Sequence, residues 1–556
     1  MLSLSKARDQ TYELTAAQLE ALDEIKTVTG PSGYITELDA MQPHVVDWRG
    51  IYKGRAELVV YPKTTQEVAD IVKICARAMM PIVPQGGNTS MCGGSVPLDS
   101  SPSIVLCLSR MNRIRDFDKN NYTMTVEAGC ILQKLQQIAS ESDRYFPLSL
   151  AAEGSCMIGG NLATNAGGTN VLRYGNAREL VLGLEVVLPD GQILEGLHAL
   201  RKDNTGYDLK HLFLGSEGTL GIITAAVLKL FPKPQGIYAA YCAVSSVSAA
   251  IELLNRARTE SGDCVETFEL ISRLVMDLVL KHIPNSQDPL NQRYQHYVLL
   301  ELVSTAEDSR ELYNRFETIL GKAMEDGLIL DAALAQSEVQ RQAFWSLREN
   351  ATESQKIEGA SIKHDISVPI SVIPEFYETA WNAVLEVEPE ARLIAFGHAG
   401  DGNLHFNVAE PELGKTEDFI DNWDKINEAV HRTVHKYGGS ISAEHGIGQL
   451  KREELAHYKT ETALQVMQKI KTALDPNSIM NFPLRNGITD DDHRRCIQDV
   501  RTAVYGEMDT AHLNLTRNAF GNEERQRFNQ IDVHLRVTPW TLTELSLVAE
   551  QIISVV

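Results

Sequence analysis

Two glycine-rich stretches decide the fold of this chain: residues 84–97, PQGGNTSMCGGSVP, and residues 154–175, GSCMIGGNLATNAGGTNVLRYG. In the first stretch, two glycine pairs bracket Asn88, Thr89 and Ser90. Glycine backbone can turn several N–H groups towards one point and so form an anion-binding nest. Two tight turns would use the same residue types. The presence of two such loops in one region predicts a site for a large phosphorylated ligand.

Short strands and one amphipathic helix surround these loops. Residues 57–61 (ELVVY) predict a strand, and Thr64 and Glu67 predict a capping box at the start of a helix. The apolar face of that helix carries Val68, Ile71, Val72 and Cys75. Further strands are predicted at 103–108, 122–128 and on both sides of the Pro189-Asp190-Gly191 turn. The first half is therefore expected to be α+β.

Changes in the pattern of predicted helices and strands divide the chain into segments. Pro232 and Pro234 end the first α+β region, and longer amphipathic helices alternate with strands after residue 238. A helix should end at Leu474-Asp475-Pro476. The predicted segments are 1–49, 50–233, 234–440, 441–482 and a polar tail of unknown role, 483–556.

Composition excludes several classes of partner. The chain has 556 residues and a formal net charge of -22, which argues against nucleic acid or an anionic membrane as the main partner. Its 8 cysteines form no C-x-x-C and are typical of reduced thiols. The N-terminus lacks an apolar signal core and a convincing transit peptide, and no apolar run is long enough to span a bilayer. A cytoplasmic location is the resulting expectation.

Two further glycine-flanked motifs carry imidazoles and a carboxylate. In FGHAGDGNLHFNV, His398 and His405 flank a turn that would fold the two rings towards each other. SAEHGIG adds Glu444 and His445. Two histidines and one carboxylate form the ligand set of a catalytic divalent metal. A histidine that only satisfies local hydrogen bonds is the alternative interpretation.

A third motif, FWSLRENATESQKIEGASIKHDISVP, carries positive charge. Arg348 and Thr352 are four residues apart, so a continuous helix would place them on one face, and Lys363 begins the next strand. A planar guanidinium suits a carboxylate ligand. Solvated charges beside Glu349 and Glu353 would give the same pattern.

The order of three stretches resembles FAD-binding domains of the vanillyl-alcohol-oxidase type: PQGGNTSMCGGSVP, then GGNLATNAGGTNVLRYGNARELVLGLEVVLPDG, then KDNTGYDLKHLFLGSEGTLGIIT. Within that superfamily, residues 43–482 are similar to the D-lactate and D-2-hydroxyglutarate dehydrogenases. The resemblance implies a two-part FAD-binding domain at 50–233, an α+β substrate domain at 234–440, and a C-terminal segment at 441–482 that returns to the flavin. The residues implied to contact non-covalent FAD are Pro84, Gly86, Gly87, Asn88, Thr89, Ser95, Gly159, Gly160, Asn161, Thr164, Gly168, Gly175, Ile222 and Asn481.

The resemblance also implies an activity, the FAD- and metal-dependent oxidation of a D-2-hydroxy acid. His398, His405 and Glu444 would bind a divalent metal, with zinc expected and manganese or cobalt as alternatives. His445 would take the hydroxyl proton, or instead orient Glu444. Substrate contacts would come from Arg348, Thr352, Lys363 and Asn407.

D-2-hydroxyglutarate is the favoured substrate. The alternatives are D-lactate and a non-catalytic flavoprotein that only transfers electrons. Electrons would pass to an electron-transfer flavoprotein or to a quinone, and a homodimer is an open expectation.

Two features depart from the family pattern. Met91 and Cys92 stand between the glycine pairs of the first loop, where Cys92 is either a reactive thiol or a packing residue. The tail at 483–556 extends beyond the usual family end.

Overall fold

The first half follows its sequence pattern closely. The computed structural model describes residues 12–413 and 416–481, except for the side chain of Glu417. Thr64 caps a helix by accepting a hydrogen bond from the Glu67 N–H. The capping box is only half formed, because the Glu67 carboxylate accepts from the N–H of Lys63 and not from that of Thr64. The predicted apolar face of this helix is fully buried at Val68, Ile71, Val72 and Cys75.

The N-terminal half contains a four-stranded sheet, a five-stranded sheet and a two-stranded ribbon. The strands are β1 Tyr34–Ile35, β2 Leu58–Val60, β3 Ile82–Gln85, β4 Ile104–Cys107, β5 Ile114–Asp118, β6 Thr123–Glu127, β7 Arg144–Tyr145, β8 Val181–Val187, β9 Ile193–Gly196, β10 Ile222–Lys229 and β11 Phe231–Pro232. The helices are α1 Ala16–Thr29, α2 Leu38–Val45, α3 Thr65–Ala78, α4 Leu132–Glu141, α5 Ile158–Ala163, α6 Val171–Tyr174 and α7 Lys210–Phe213.

The two larger sheets differ in strand direction. The four-stranded sheet has the order β1-β2-β4-β3, with β2 and β3 parallel to β4 and β1 antiparallel to β2. The five-stranded sheet, β5-β6-β10-β8-β9, is antiparallel throughout. The first glycine-rich loop leaves the end of β3, and the second contains α5 and α6. The end of β3 therefore positions the start of the first loop, and two short helices shape the second.

An eight-stranded sheet dominates the second half, in the order β15-β12-β14-β13-β18-β19-β16, with β17 also paired to β19. Its strands are β12 Gly236–Val244, β13 Val265–Ser272, β14 His296–Ser304, β15 Ile329–Leu334, β16 Ser361–Ile362, β17 Asp365–Ser367, β18 Arg392–Gly397 and β19 Asn403–Ala409. The remaining helices are α8 Val247–Ser261, α9 Arg273–His282, α10 Arg310–Glu325, α11 Glu338–Glu349, α12 Ala351–Glu358, α13 Ile373–Val387, α14 Thr416–Asp421, α15 Trp423–Lys436, α16 Arg452–Tyr458 and α17 Glu461–Leu474.

The two faces of this sheet pack against different helices. Helices α8, α10, α13 and α15 bury one apolar face. Helices α9, α11 and α12 bury the other. Lys363, predicted to begin a strand, instead lies between two short strands, because β16 ends at Ile362 and β17 begins at Asp365. These mixed elements confirm the α+β prediction.

The C-terminal segment forms a single parallel β-bridge with β3, between Met480 and Ile82. The Ile82 N–H donates to the Ile479 carbonyl, and the Asn481 N–H donates to the Ile82 carbonyl. Asp475 fixes this return by accepting hydrogen bonds from the Ile479 and Met480 N–H groups and from the Lys471 ammonium. Within residues 12–413 and 416–481, each helix is too short or too polar to cross a membrane. The predicted tail at 483–556 lies outside the described residues.

Asp475→Ala should destabilise this return. The substitution removes a buried carboxylate that accepts two backbone hydrogen bonds and the Lys471 ammonium, so the expected loss of unfolding free energy is about 3–5 kcal/mol. Urea unfolding followed by circular dichroism measures it. Glu390→Ala, at an exposed position, should change stability by less than about 0.5 kcal/mol. Equal midpoints for the two variants would contradict the assigned role of Asp475.

Candidate functional site

A hairpin brings His398 and His405 together. Phe396 of β18 pairs with His405 of β19, and His398 lies in the connecting turn. The two imidazole centroids are 6.0 Å apart. Gly402 has φ +93, a left-handed conformation that glycine adopts without strain. The strand–turn–strand geometry predicted from FGHAGDGNLHFNV is therefore confirmed.

Glu444 completes a group of three ligand atoms. One nitrogen each from His398 and His405 and one oxygen from Glu444 lie within 4.8 Å of one another. The His398 Nε2 to Glu444 Oε1 distance is 3.6 Å. Burial opposes a charge on His398, but Glu269 and Glu444 outweigh it and raise its pKa to about 9. Burial raises the pKa of Glu444 and holds that of His405 well below its ordinary value. Two imidazoles and a carboxylate at this spacing suit a divalent cation.

Asp365 anchors the loop that carries Glu444 and His445. Its Oδ2 accepts hydrogen bonds from both backbone N–H groups, each at 2.9 Å. The same oxygen lies 3.4 Å from His445 Nδ1. Burial alone would raise the pKa of Asp365, but His445 and Lys451 lower it. The carboxylate thus stays ionised and holds the His445 ring.

Asp365, Glu444 and His445 form a second set with metal-ligand spacing. Asp365 Oδ2 already accepts two backbone hydrogen bonds, which reduces its capacity to bind a cation. In contrast, neither ring nitrogen of His405 hydrogen bonds to a residue within 12–413 or 416–481. The set His398, His405 and Glu444 is therefore the better metal site.

The two glycine-rich loops are packed too closely for side chains at several positions. A Cβ on Gly87 would lie 2.2 Å from the Ser155 carbonyl oxygen, and one on Gly168 would lie 1.9 Å from that of Ser149. Gly168 also has φ +137. A Cβ on Gly160, in contrast, would meet open space. Glycine is thus required where the loops touch protein, while Gly160 leaves room beside α5.

Side chains within the first loop hold its shape. Ser95 Oγ donates to Asn88 Oδ1, and the Asn88 amide donates to the Pro43 and Val46 carbonyls. These two predicted cofactor residues can therefore offer mainly backbone groups to a ligand. Asn161 and Asn481 each bury a side-chain oxygen without a hydrogen-bond partner among the described residues. Such acceptors fit a bound group that donates hydrogen bonds.

Other predicted cofactor residues make local contacts. Thr164 donates to the Gly160 carbonyl, and the Asn481 side-chain amide donates hydrogen bonds to the carbonyls of Gly94 and Glu217. Ile222 is buried in the apolar core that packs against the four-stranded sheet. The remaining predicted positions lie in or beside the two loops: Pro84, Gly86, Thr89, Gly159 and Gly175.

Gly167 joins the second loop to the metal-ligand cluster. A Cβ at this position would lie 2.7 Å from Glu444 Oε1. The loop predicted to follow the flavin therefore passes directly against a predicted metal ligand. This contact places the cofactor loop and the imidazole cluster at one site.

The predicted substrate residues are only partly brought together. Arg348 and Thr352 do not share a helix, since α11 ends at Glu349 and α12 begins at Ala351. At the break, the Asn350 side-chain amide donates to the carbonyl and the hydroxyl of Ser346. Thr352 is exposed. The predicted common helix face is therefore wrong.

Arg348 is buried beside the histidines. Its Nε donates to Glu269 Oε2 at 2.5 Å, and its guanidinium lies over the Phe396 ring at 4.7 Å. Its two terminal nitrogens have no hydrogen bond within residues 12–413 and 416–481. These N–H groups are available for an anionic ligand.

The other two predicted substrate residues have different environments. Surrounding protein and the positive charge of Arg49 lower the pKa of Lys363, whose side chain is exposed. Asn407 is buried, donates to Gln355 and accepts from the His364 N–H. Asn407 therefore has one amide hydrogen left for a ligand.

Sequence reasoning missed three carboxylates around the site. Glu269 lies between Arg348 and His398. Asp365 holds the Glu444 loop, and Glu217 accepts hydrogen bonds from the Ile447 and Gly448 N–H groups of the same segment. An acidic residue inside the buried strand VETFELIS was the available signal for Glu269.

Cys92 packs between the first loop and the C-terminal segment. Its Sγ contacts the Gly446 carbonyl, and its own carbonyl accepts from the Gln449 N–H. A Cβ on Gly448 would lie 2.2 Å from this carbonyl oxygen. Burial raises the pKa of the Cys92 thiol to about 12. These contacts favour a packing role for Cys92.

Comparison with known proteins identifies the chemistry of the two loops. Residues 56–196 match the family described as FAD binding domain, and residues 233–482 match FAD linked oxidases, C-terminal domain. A D-2-hydroxyglutarate dehydrogenase of Danio rerio is 39% identical, over 81% of this chain and 82% of its own length. A D-2-hydroxyglutarate–pyruvate transhydrogenase of Saccharomyces cerevisiae is 33% identical, over 78% and 87%.

The fold also matches a solved structure. p-Cresol methylhydroxylase with substrate bound superposes with a TM-score of 0.66 at 16% identity, covering 86% of this chain and 98% of that one. This match confirms the predicted vanillyl-alcohol-oxidase type of fold, and the family matches confirm FAD as the cofactor.

The prediction of a cytoplasmic location is wrong. Similar dehydrogenases of Danio rerio, Arabidopsis thaliana and Bos taurus are named as mitochondrial proteins. The expectation rested on the lack of an apolar signal core and of a convincing transit peptide at the N-terminus.

Gly160→Leu should weaken FAD binding without unfolding the protein. The new side chain would occupy the open space beside α5, and overpacking of about 1–3 kcal/mol corresponds to a roughly 10- to 100-fold higher Kd for FAD. Flavin fluorescence titration of the apoprotein measures this. Gly321→Leu, also a helix position with open space, is the matched control. Unchanged FAD affinity in Gly160→Leu would place the cofactor elsewhere.

Proposed function

This chain belongs to the FAD-linked oxidases, in the group of D-2-hydroxyacid dehydrogenases, and on that premise we propose that it oxidises D-2-hydroxyglutarate beside FAD and a divalent metal. The observation that carries the proposal is the contact between Gly167 of the second glycine-rich loop and Glu444. It joins the FAD loop to the imidazole cluster. A hydroxy acid bound between the FAD loop and the imidazole cluster would contact the flavin, as hydride acceptor, and the cation at the same time.

Different residues of the chain are proposed to bind the metal and to contact the substrate. When bound, FAD supplies the acceptor for the hydride from the α-carbon, and the metal supplies a Lewis acid for the hydroxyl group. His398, His405 and Glu444 would hold the metal. Their three ligand atoms are close enough for one ion, and the neutral imidazole expected at His405 is the form that ligates. Zinc is the proposed metal, with manganese or cobalt as alternatives.

His445 is proposed as the acceptor of the hydroxyl proton. Asp365 supports this role, because its carboxylate lies 3.4 Å from Nδ1 and leaves Nε2 for the substrate. The Asp365 contacts to two backbone N–H groups restrict the position of the ring. A carboxylate that orients an imidazole and stabilises its protonated form is a recurring catalytic arrangement.

Cationic groups would orient the acid. Arg348 offers terminal N–H groups to one carboxylate in a planar, two-pronged geometry. Lys363, whose side chain is exposed, is proposed to contact a carboxylate as well. Asn407 would add one amide hydrogen, whereas exposed Thr352 would need to act from the rim. Two cations favour a dicarboxylate over D-lactate.

The reduced flavin needs an acceptor. We propose a protein or quinone acceptor, with an electron-transfer flavoprotein as the favoured class. The name of the yeast transhydrogenase supports a second 2-oxo acid as an alternative.

Metal dependence is the first test. Chelation should abolish turnover while FAD stays bound, and zinc, cobalt or manganese should restore it. His398→Ala should lose both metal and activity, because it removes one of three ligands. His435→Ala, at an exposed histidine, is the control. Active, extensively dialysed enzyme without bound metal would exclude this part of the proposal.

Substrate preference is the second test. Anaerobic bleaching of the flavin should be more efficient with D-2-hydroxyglutarate than with D-lactate. Loss of a charge-assisted hydrogen bond costs about 1.5–3 kcal/mol, so Arg348→Ala should lower kcat/KM by roughly 10- to 100-fold or more.

Arg341→Ala is the matched control for this test, since Arg341 lies on the same helix and also pairs with a buried glutamate. A higher kcat/KM for D-lactate would make D-lactate the substrate. The absence of bleaching with either acid would favour a non-catalytic electron-transfer role.

The role of His445 is the third test. His445→Asn should keep FAD and metal, yet slow flavin reduction in a single turnover by about 10²–10⁴. His457→Asn, exposed on the same C-terminal segment, should reduce flavin at the wild-type rate. If His445→Asn instead loses metal and recovers with excess metal, His445 orients Glu444 and is not the base.

A further inference from the structure

Glu269 lies at the centre of a buried bridge between two parts of the site. It is fully buried in the strand β13. One carboxylate oxygen, Oε2, accepts from Arg348 Nε at 2.5 Å. The other, Oε1, contacts His398 Nδ1. The two partners are those proposed to bind the substrate carboxylate and the metal.

The geometry determines which nitrogen of His398 is available. An ionised carboxylate only accepts hydrogen bonds, so its contact with Nδ1 requires a proton on that atom. A neutral His398 then carries its lone pair on Nε2, and this nitrogen lies 3.6 Å from Glu444 Oε1. Glu269 thereby selects the tautomer in which Nε2 can bind a cation.

The same carboxylate fixes the direction of Arg348. Its contact engages Nε alone, while the Phe396 ring supports the guanidinium from one side at 4.7 Å. The terminal nitrogens are left without hydrogen bonds in the part of the chain that the structure describes. Glu269 therefore holds Arg348 through Nε and leaves the two terminal nitrogens of the guanidinium for a ligand.

We propose that Glu269 is a positioning residue that sets the metal-binding nitrogen of His398 and the carboxylate-binding face of Arg348 together. The inference rests on the proposed function, since it assumes the metal and the hydroxy acid. It adds that a single carboxylate supports the binding of both the metal and the hydroxy acid, and that it does so through His398 and Arg348. Its loss should therefore weaken metal and substrate binding in one variant.

The chain offers a closely matched control. Glu301 lies on the neighbouring strand β14 and is also buried. Its Oε1 accepts from Arg341 at 3.0 Å and from the Trp345 indole at 2.8 Å. Glu301→Gln thus removes a buried charge that pairs with an arginine. Neither Arg341 nor Trp345 is proposed to bind the metal or the substrate.

The test measures Mn²⁺ binding to metal-free, FAD-loaded enzyme by electron paramagnetic resonance. Glu269→Gln should raise the Kd for Mn²⁺ by about 10- to 100-fold, because the amide can no longer accept from both partners. The KM for D-2-hydroxyglutarate should rise in the same variant. Glu301→Gln should bind Mn²⁺ with the wild-type Kd.

Glu269→Asp provides a second measurement if Glu269→Gln fails to retain FAD. It keeps the charge but is one methylene shorter, so it should reach only one partner and give a smaller rise in Kd. Wild-type Mn²⁺ affinity in the Glu269 variants, or equal losses in Glu269→Gln and Glu301→Gln, would overturn the bridge alone. A wild-type enzyme that binds neither Mn²⁺ nor Zn²⁺ would overturn the proposed metal centre and the bridge with it.

Discussion

The candidate site depends on the buried carboxylate of Asp365. Its two oxygens hold the Glu444 and His445 backbone, approach the His445 ring and accept from the Asn403 amide. Hydrogen bonds to an ionised acceptor contribute about 1.5–3 kcal/mol each, so this one group can order a loop that has little regular structure. It also ties the β17–β19 region of the large sheet to the C-terminal segment.

Close backbone approach is the second constraint, and glycine makes it possible. Gly167 lies against Glu444, while Gly448 lies against Cys92 of the first loop. Glu217 adds hydrogen bonds to the Ile447 and Gly448 N–H groups. The two glycine-rich loops and the C-terminal segment therefore pack directly against one another at the candidate site. A side chain at these contacts would separate groups that are proposed to act on the same molecule.

Local charge at the site differs from the charge of the whole chain. The net charge of -22 would repel a dicarboxylate at long range, yet Arg348 shares Glu269 with His398, and burial and the charge of nearby Arg49 lower the pKa of Lys363. Screening limits the long-range repulsion to about 8 Å at physiological salt. Short-range cations can thus determine what binds, and Glu269 keeps the buried charge of Arg348 compensated.

The sequence by itself determined the features that arise from short-range interactions. The buried face of α3, the two glycine-rich loops and the hairpin that brings His398 to His405 depend on residues within a few positions of one another. The family motifs predicted the α+β fold and FAD. The break at Asn350 was missed, although it is local, because a four-residue spacing does not show whether a helix is continuous.

The tertiary structure alone decided how these pieces combine. Glu269 contacts Arg348 across 79 residues of sequence and His398 across 129. Asp365 holds Glu444 across 79 residues. Alternation within a strand predicts which side chains share a face, but it does not predict which strands become neighbours in the sheet or which loop packs against them. Buried carboxylates need partners, and only the packed sheet and loops bring those partners within hydrogen-bond distance.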